Sequence, residues 1–281
     1  MSATAITPAP AAEHAARARQ PRQHAICWAL ARVEARRLLA HPVFVLAMAV
    51  SGLSLAVDIG GGGDQLIGLA GGTFLFVGTG LGTFVVVSLA ASRERRDAAQ
   101  DFYAAHPVSA RVRTQAALLS LGSAALASAA LIAVATVAQA GFDGALVVEG
   151  ERYALRPLEL AQGPLYLVFA GAFGVLIGSW SRRAYPTVLG ALLFVPPFSW
   201  GPWIVFGDGV PPGFYDYWLV GASLGWHLVG LAGLATLTAA GALARHDRRP
   251  RIVLLAFAGL CATGAGIALG LPPGPPPGGY V

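Results

Sequence analysis

Long apolar stretches, each wide enough to cross a bilayer, alternate along this chain with short clusters of arginine. That alternation constrains the fold more than any other feature. A hydrocarbon core about 30 Å thick takes roughly 20 apolar residues per helix, and inside it only helices and closed barrels satisfy their backbone polar groups. The stretches read as membrane-spanning helices. The expected fold class is all-α: a polytopic membrane helix bundle with a six-span core and a seventh span.

All 19 basic residues are arginine; the chain has no lysine. If the spans alternate in direction, 17 arginines fall on one side, in clusters Arg17–Arg37, Arg93–Arg96, Arg111/Arg113, Arg182/Arg183 and Arg245–Arg251. Only Arg152 and Arg156 fall on the other, beside Asp58, Asp64, Asp143, Glu149, Glu151, Glu159, Asp208 and Asp216. Arginine in short loops marks the cytoplasmic side. The expected localisation is therefore the cell membrane, multi-pass, with the N-terminus cytoplasmic and the C-terminus outside. The same rule accounts for the pI near 9.7 without nucleic acid, because spans separate the basic clusters.

The chain divides as follows. Residues 1–22, rich in Ala, Pro, Arg and Gln, form a disordered cytoplasmic head without a signal peptide. The first span then acts as an uncleaved start signal. An amphipathic helix over Gln23–Ala40 sets Ile26, Leu30 and Val33 on one face and Arg32 and Arg36 on another, with Trp28 at the headgroups. It leads through His41-Pro42 into a first span ending near Val57. The second span covers about Gln65–Ala91, the third Ala116–Ala140, and an outer loop between third and fourth contains LVVEGERYAL, which reads as a small hairpin. The fourth covers Leu158–Trp180. The fifth begins at Ala184 and is broken by Pro196, Pro197 and Pro202. The sixth covers Leu219–Ala244. The six-span region thus occupies residues 42–251, Ile252–Leu271 adds a seventh span, and 272–281 is a Pro/Gly tail.

Several chemistries are excluded by residue type. Without lysine there is no P-loop and no Schiff-base nucleophile. No H-E-x-x-H and no G-x-S-x-G occurs; Cys27, before the first span, and Cys261, inside the last, share no compartment for a disulfide, and two lone thiols do not make a metal site. The chain is not expected to be an enzyme or to carry a cofactor. No Asp, Glu or Arg lies deep in a span, which argues against an ion-coupled transporter. His227, in the sixth span, is the one intramembrane ionisable group. Such residues are functional by default, but a histidine without a carboxylate partner makes a poor proton relay, so a packing role stands beside a polar site. Glycines four apart (Gly68/Gly72, Gly78/Gly82, Gly174/Gly178, Gly221/Gly225, Gly266/Gly270) are read as close helix contacts or a dimer seam.

The soluble loop Ser92–Gln115 is the most informative. Arg93, Asp97 and Asp101 stack at helical spacing; Ala98, Phe102 and Ala105 make an adjacent apolar strip; Pro107 ends the helix; and Ser109 caps the third span. Aromatic residues on a charged cytoplasmic helix suit docking onto a protein.

RVEARRLLAHPVF (Arg32–Phe44), a span pair, and SRERRDAAQDFYAAHPVSARVR (Ser92–Arg113) together resemble permease subunits of bacterial type-2 ABC transporters, over about residues 25–250. The resemblance implies an interfacial elbow at Gln23–Ala40 and a coupling helix at Glu94–Ala105 docking onto a separate cytoplasmic ABC ATPase. Arg95, Asp97, Asp101, Phe102 and Tyr103 would form that contact. It implies a second ATPase contact around Arg182 and Arg183, a re-entrant segment within Pro196–Trp218, and a homodimer or a heterodimer with a paralogous permease. An exporter is the expected function; the alternative is a non-transporting membrane scaffold or sensor that binds a cytoplasmic partner through the same loops. The seventh span departs from the six-span family core.

Overall fold

In a computed structural model, residues 10–60, 78–93, 108–143, 146–148, 151–153, 161–181, 186–187, 190, 222–246 and 250–270 are described. Among them the fold is helical: α1 (Pro10–Leu39), α2 (Pro42–Gly60), α3 (Thr79–Ser92), α4 (Ala110–Asp143), α5 (Gln162–Trp180), α6 (Ala222–Ala244) and α7 (Pro250–Gly270). The exception is a hairpin between α4 and α5, where β1 (Leu146–Val148) pairs antiparallel with β2 (Glu151–Tyr153) in the register Leu146↔Tyr153 and Val148↔Glu151. It lies within the LVVEGERYAL stretch.

Helix ends follow local chemistry. Pro42 and Pro250 open α2 and α7, where a missing N–H costs nothing and the fixed φ suits the first turn. The Ser109 hydroxyl accepts from the Val112 N–H at 3.4 Å, the N-cap its sequence position predicts. α1 reaches back to Pro10, into the head expected to be disordered. Its Ala, Glu, Arg and Gln residues are good helix formers.

Three helical segments are long and apolar enough to cross a membrane: Ala110–Ala135, Gln162–Trp180 and Gly225–Ala244. A fourth is possible if Gln23–Leu39 and Pro42–Val57, which meet at a 58° bend, count as one. α3 and the Pro250–Gly266 part of α7 are also apolar, but shorter. The second and fifth expected spans fall partly or largely outside the described residues. The outer faces suit lipid: Leu46 and Leu53 on α2, Leu126, Val134 and Val137 on α4, and Leu254 and Phe257 on α7 are all exposed. A soluble monomer rarely exposes so much contiguous apolar surface.

α5 is the hub. Leu167 and Ala170 are wholly buried, and α5 packs against α3, α4 and α6. The core joins Val86 and Val87 of α3, Leu121 and Ile132 of α4, Tyr166, Phe169 and Val175 of α5, and Leu231 of α6. Glycines set the spacing. A Cβ at Gly174 would stand 2.6 Å from the Phe84 carbonyl, and one at Gly178 would strike the Ser88 carbonyl. These pairs, with Gly80 against Tyr166, make α3 and α5 parallel and touching backbone to backbone. Gly82 against Ala47 and Gly78 beside Ser51 run α2 antiparallel to α3. Gly171 against Leu121 runs α4 antiparallel to α5. α7 lies antiparallel on α6, with Gly266 on Gly230 and Gly259 on Gly233.

α1 docks at the start of α4 through Cys27, Ala31 and Ala116. Ile26, Trp28 and Val33 stay exposed, whereas Leu30 is half-buried against this cluster, so of the stripe Ile26/Leu30/Val33 read from the sequence only Leu30 turns to the protein. The Cys27 thiol points at the Val112 carbonyl, 3.9 Å away, and burial pushes its pKa up. In a Cys261→Ser background, N-ethylmaleimide should alkylate Cys27 at least tenfold more slowly in the folded protein than in SDS. The rate should keep rising at pH values where a free cysteine has levelled off, since only the thiolate reacts.

Candidate functional site

The contacts between helices bring particular ends together. The start of α2, the end of α3, the start of α4, the ends of α5 and α6 and the start of α7 share one end of the bundle. The described arginines of these helices, Arg93, Arg111, Arg113, Arg245 and Arg251, all belong to that end. Arg245 Nη1 donates to the Ser179 carbonyl at 2.6 Å and its guanidinium sits 5.9 Å from the centre of the Trp180 ring. Trp180 Nε1 in turn donates to the Gly241 carbonyl at 3.1 Å. A cation at the last carbonyls of α5 also suits the negative end of its dipole, so α5 and α6 are tied where they leave the apolar layer. Close by, the Ser88 and Thr187 hydroxyls share a buried 2.8 Å hydrogen bond.

The loop expected to dock emerges between the end of α3 and the start of α4. Arg113 Nη1 donates to the Val108 carbonyl at 2.5 Å, which fixes the loop's exit beside the Ser109 cap. Arg95, Asp97, Asp101, Phe102 and Tyr103 lie outside the described residues, as do Arg182 and Arg183 and the Pro196–Trp218 segment.

His227 is described, and it is buried, with 4% of its surface exposed. It stands one turn before Leu231 on the α6 stripe that enters the core. Gly241 rests on Leu176, and α5 and α6 run parallel. Stepping back the same number of residues along each helix puts His227 level with Gln162, the first residue of α5.

Other buried polar residues lie within about two helical turns of this level. Ser51 lies beside Gly78, and the next residue, Gly52, beside Leu131. Thr79 follows Gly78, and Gly80 meets Tyr166. Ser128 is one turn from Leu131, on the α4 stripe between Ala124 and Ile132 that faces the core. Ser51, Thr79, Ser128, Gln162, Tyr166 and His227, all buried, therefore form a polar layer in the half of the bundle away from the arginines. Only His227 was singled out by sequence.

Two members differ from the rest of the bundle's polar groups. Thr83, Ser120, Ser179, Thr236, Thr238 and Thr263 each return their hydroxyl to a carbonyl three or four residues back, the usual way a helix satisfies such a group. Ser128 Oγ does not, and neither Oε1 nor Nε2 of Gln162 has a hydrogen-bond partner among the described residues. No cluster of three or more His, Cys, Asp or Glu residues that could hold a metal occurs among the described residues.

Compared with known proteins, the chain matches no family model, no curated protein and no solved structure.

Proposed function

We propose that this chain is the membrane-spanning subunit of an ATP-driven ABC transporter, an exporter, that couples to a separate cytoplasmic ATPase through the loop Ser92–Gln115. The observation that carries the reading is the sorting of charge. The helix ends bearing arginine converge on one end of an apolar-faced bundle, and the charged loop with Phe102 and Tyr103 issues from that same end. In this reading that end is cytoplasmic. The 58° bend at His41-Pro42 supports an interfacial α1 leading into a first span, and the Pro42 junction is stiffened where His41 Nδ1 accepts from the Val43 N–H at 3.3 Å.

The packing offers a way to transmit force. The loop joins α3 to α4, and α3 is locked to α5 by backbone contact at Gly174 and Gly178. A push on the loop would therefore move α3 and α5 as one body instead of bending α3 alone. The ATPase shifts the balance between inward- and outward-open states only if its docked form binds them unequally. Two copies, or one copy and a paralogue, would flank the path.

Aromatic anchors at interfaces are each worth about 2 kcal/mol or more. A Phe102→Ala/Tyr103→Ala variant should therefore lose more than tenfold in co-purification with an ABC ATPase expressed from a neighbouring gene. Its level in membranes should not change. Unchanged co-purification would remove the docking role. Retained docking with no transport-linked ATP hydrolysis in reconstituted vesicles would point to the scaffold or sensor instead.

A further inference from the structure

We infer that the polar layer around Gln162 and Ser128 is a binding site for an uncharged small molecule carrying both a hydrogen-bond donor and an acceptor, of the carboxamide or hydroxyl type. Three observations converge on it. Gln162 is 1% exposed and Ser128 fully buried, and neither has a hydrogen-bond partner for its side chain among the described residues. Their neighbours in the bundle solve the same problem by bonding back to their own helix, so burial of a hydroxyl here does not by itself leave it unsatisfied. The two unsatisfied groups are also brought to one height by α4 and α5, since Gly171 against Leu121 sets Ser128 level with the first turn of α5.

An unsatisfied buried amide is costly, and at 1% exposure bulk water does not relieve it. Such a group persists where something else completes it. A primary amide offers two donors and an acceptor, and a hydroxyl offers one donor and two lone pairs. Together they match a neutral carboxamide or alcohol. They do not match an ion. No Asp, Glu, Arg or Lys lies among the six residues of the layer, so a cation would be desolvated there without a counter-ion, and an anion would have none but His227. The aromatic rings that continue inward from Tyr166, with Phe169 6.3 Å away and Phe173 6.3 Å beyond it, favour a ligand whose remainder is apolar or aromatic. The site lies within one copy of the chain and exists whether or not an ATPase docks, so its failure and that of the coupling loop are separate results.

The test uses the full chain in lipid nanodiscs at pH 8. Dansylamide, neutral and bearing donor and acceptor, should show saturable, blue-shifted emission. Benzamide should displace it, whereas its isosteric cation benzamidine and anion benzoate should not. Gln162→Leu and Ser128→Ala should each lower dansylamide affinity at least tenfold. In the absence of ligand, Gln162→Leu should raise the melting temperature by about 2–4 °C, because an apolar group replaces an unsatisfied polar one. Gln162→Met serves if the leucine variant does not accumulate. A fall in melting temperature for both variants would mean that Gln162 is a bonded structural amide, and would overturn the inference. So would a stabilised Gln162 variant that still binds dansylamide, or a wild type that shows no saturable binding. Equal displacement by benzamidine or benzoate would overturn its neutral specificity.

Discussion

Gly178→Ala should destabilise the bundle by about 1–3 kcal/mol, and Gly178→Val by more, because the new side chain has nowhere to go. The added carbon would strike the Ser88 carbonyl and come within 2.8 Å of the Ala91 Cβ. One turn earlier, a carbon at Gly174 would sit 2.6 Å from the Phe84 carbonyl and 3.2 Å from its Cα. Backbone cannot rotate aside as a side-chain tip can, so α3 and α5 must part along the whole seam. Parting them would also loosen the stacked Phe84 and Phe173 rings, whose centres are 5.5 Å apart. Gly122, Gly225 and Gly264 provide the contrast: a Cβ at any of them meets nothing within 4 Å. There alanine should be neutral or stabilising by up to about 1 kcal/mol, the propensity difference in a helix. Thermal unfolding in detergent, followed by tryptophan fluorescence, should give opposite signs for the two groups. A Gly178→Ala protein as stable as Gly225→Ala would mean that α3 and α5 do not touch as described.

The same glycines show how far the sequence could be read. Four-residue spacing identified a close-packing face at Gly78/Gly82, Gly174/Gly178 and Gly266. It could not say what lies against that face, since spacing within one helix contains no information about its neighbour. Gly225 belonged to an equally good pair and meets nothing. Helix starts were legible at Pro42 and Ser109, where one residue's chemistry decides the local backbone. The partition of arginine was legible because it is a property of loops, independent of packing. The buried polar layer was not. Gln162 falls inside the fourth span as read from the sequence, Leu158–Trp180, where nothing in the pattern singles it out. Only the height of α5 against α6 and α4 buries it and aligns it with His227 and Ser128. Arg245 was counted as one of a basic cluster, although its hydrogen bond to the Ser179 carbonyl joins two helices.

α7 should be separable from the remaining helices by a single substitution on α6. A Cβ at Gly233 would lie 2.5 Å from the Thr263 backbone nitrogen and 2.8 Å from the Gly259 carbonyl. Across the same seam, Gly266 rests on the backbone of Gly230. The Thr263 hydroxyl turns back to the Gly259 carbonyl at 2.8 Å, leaving the surface between the helices smooth. In lipid no hydrophobic force drives two apolar helices together, so this association depends on the fit of one backbone against the other. Gly233→Leu removes the fit at its centre, at a cost above about 3 kcal/mol. Among the described residues α7 packs on α6 and on no other helix to a comparable extent, so nothing else would retain it. α6 would stay, held to α5 through Arg245, Ser179, Trp180 and Gly241 and by Leu231 in the core. With a protease site inserted between Asp247 and Arg249, cleaved wild-type protein should run as one species in mild detergent. The Gly233→Leu protein should release α7, while dansylamide binding at Gln162 is unchanged. Co-migration of α7 in both would show that it is anchored by more than the glycine seam. Loss of binding along with α7 would show that the seventh helix is built into the core and not laid against it.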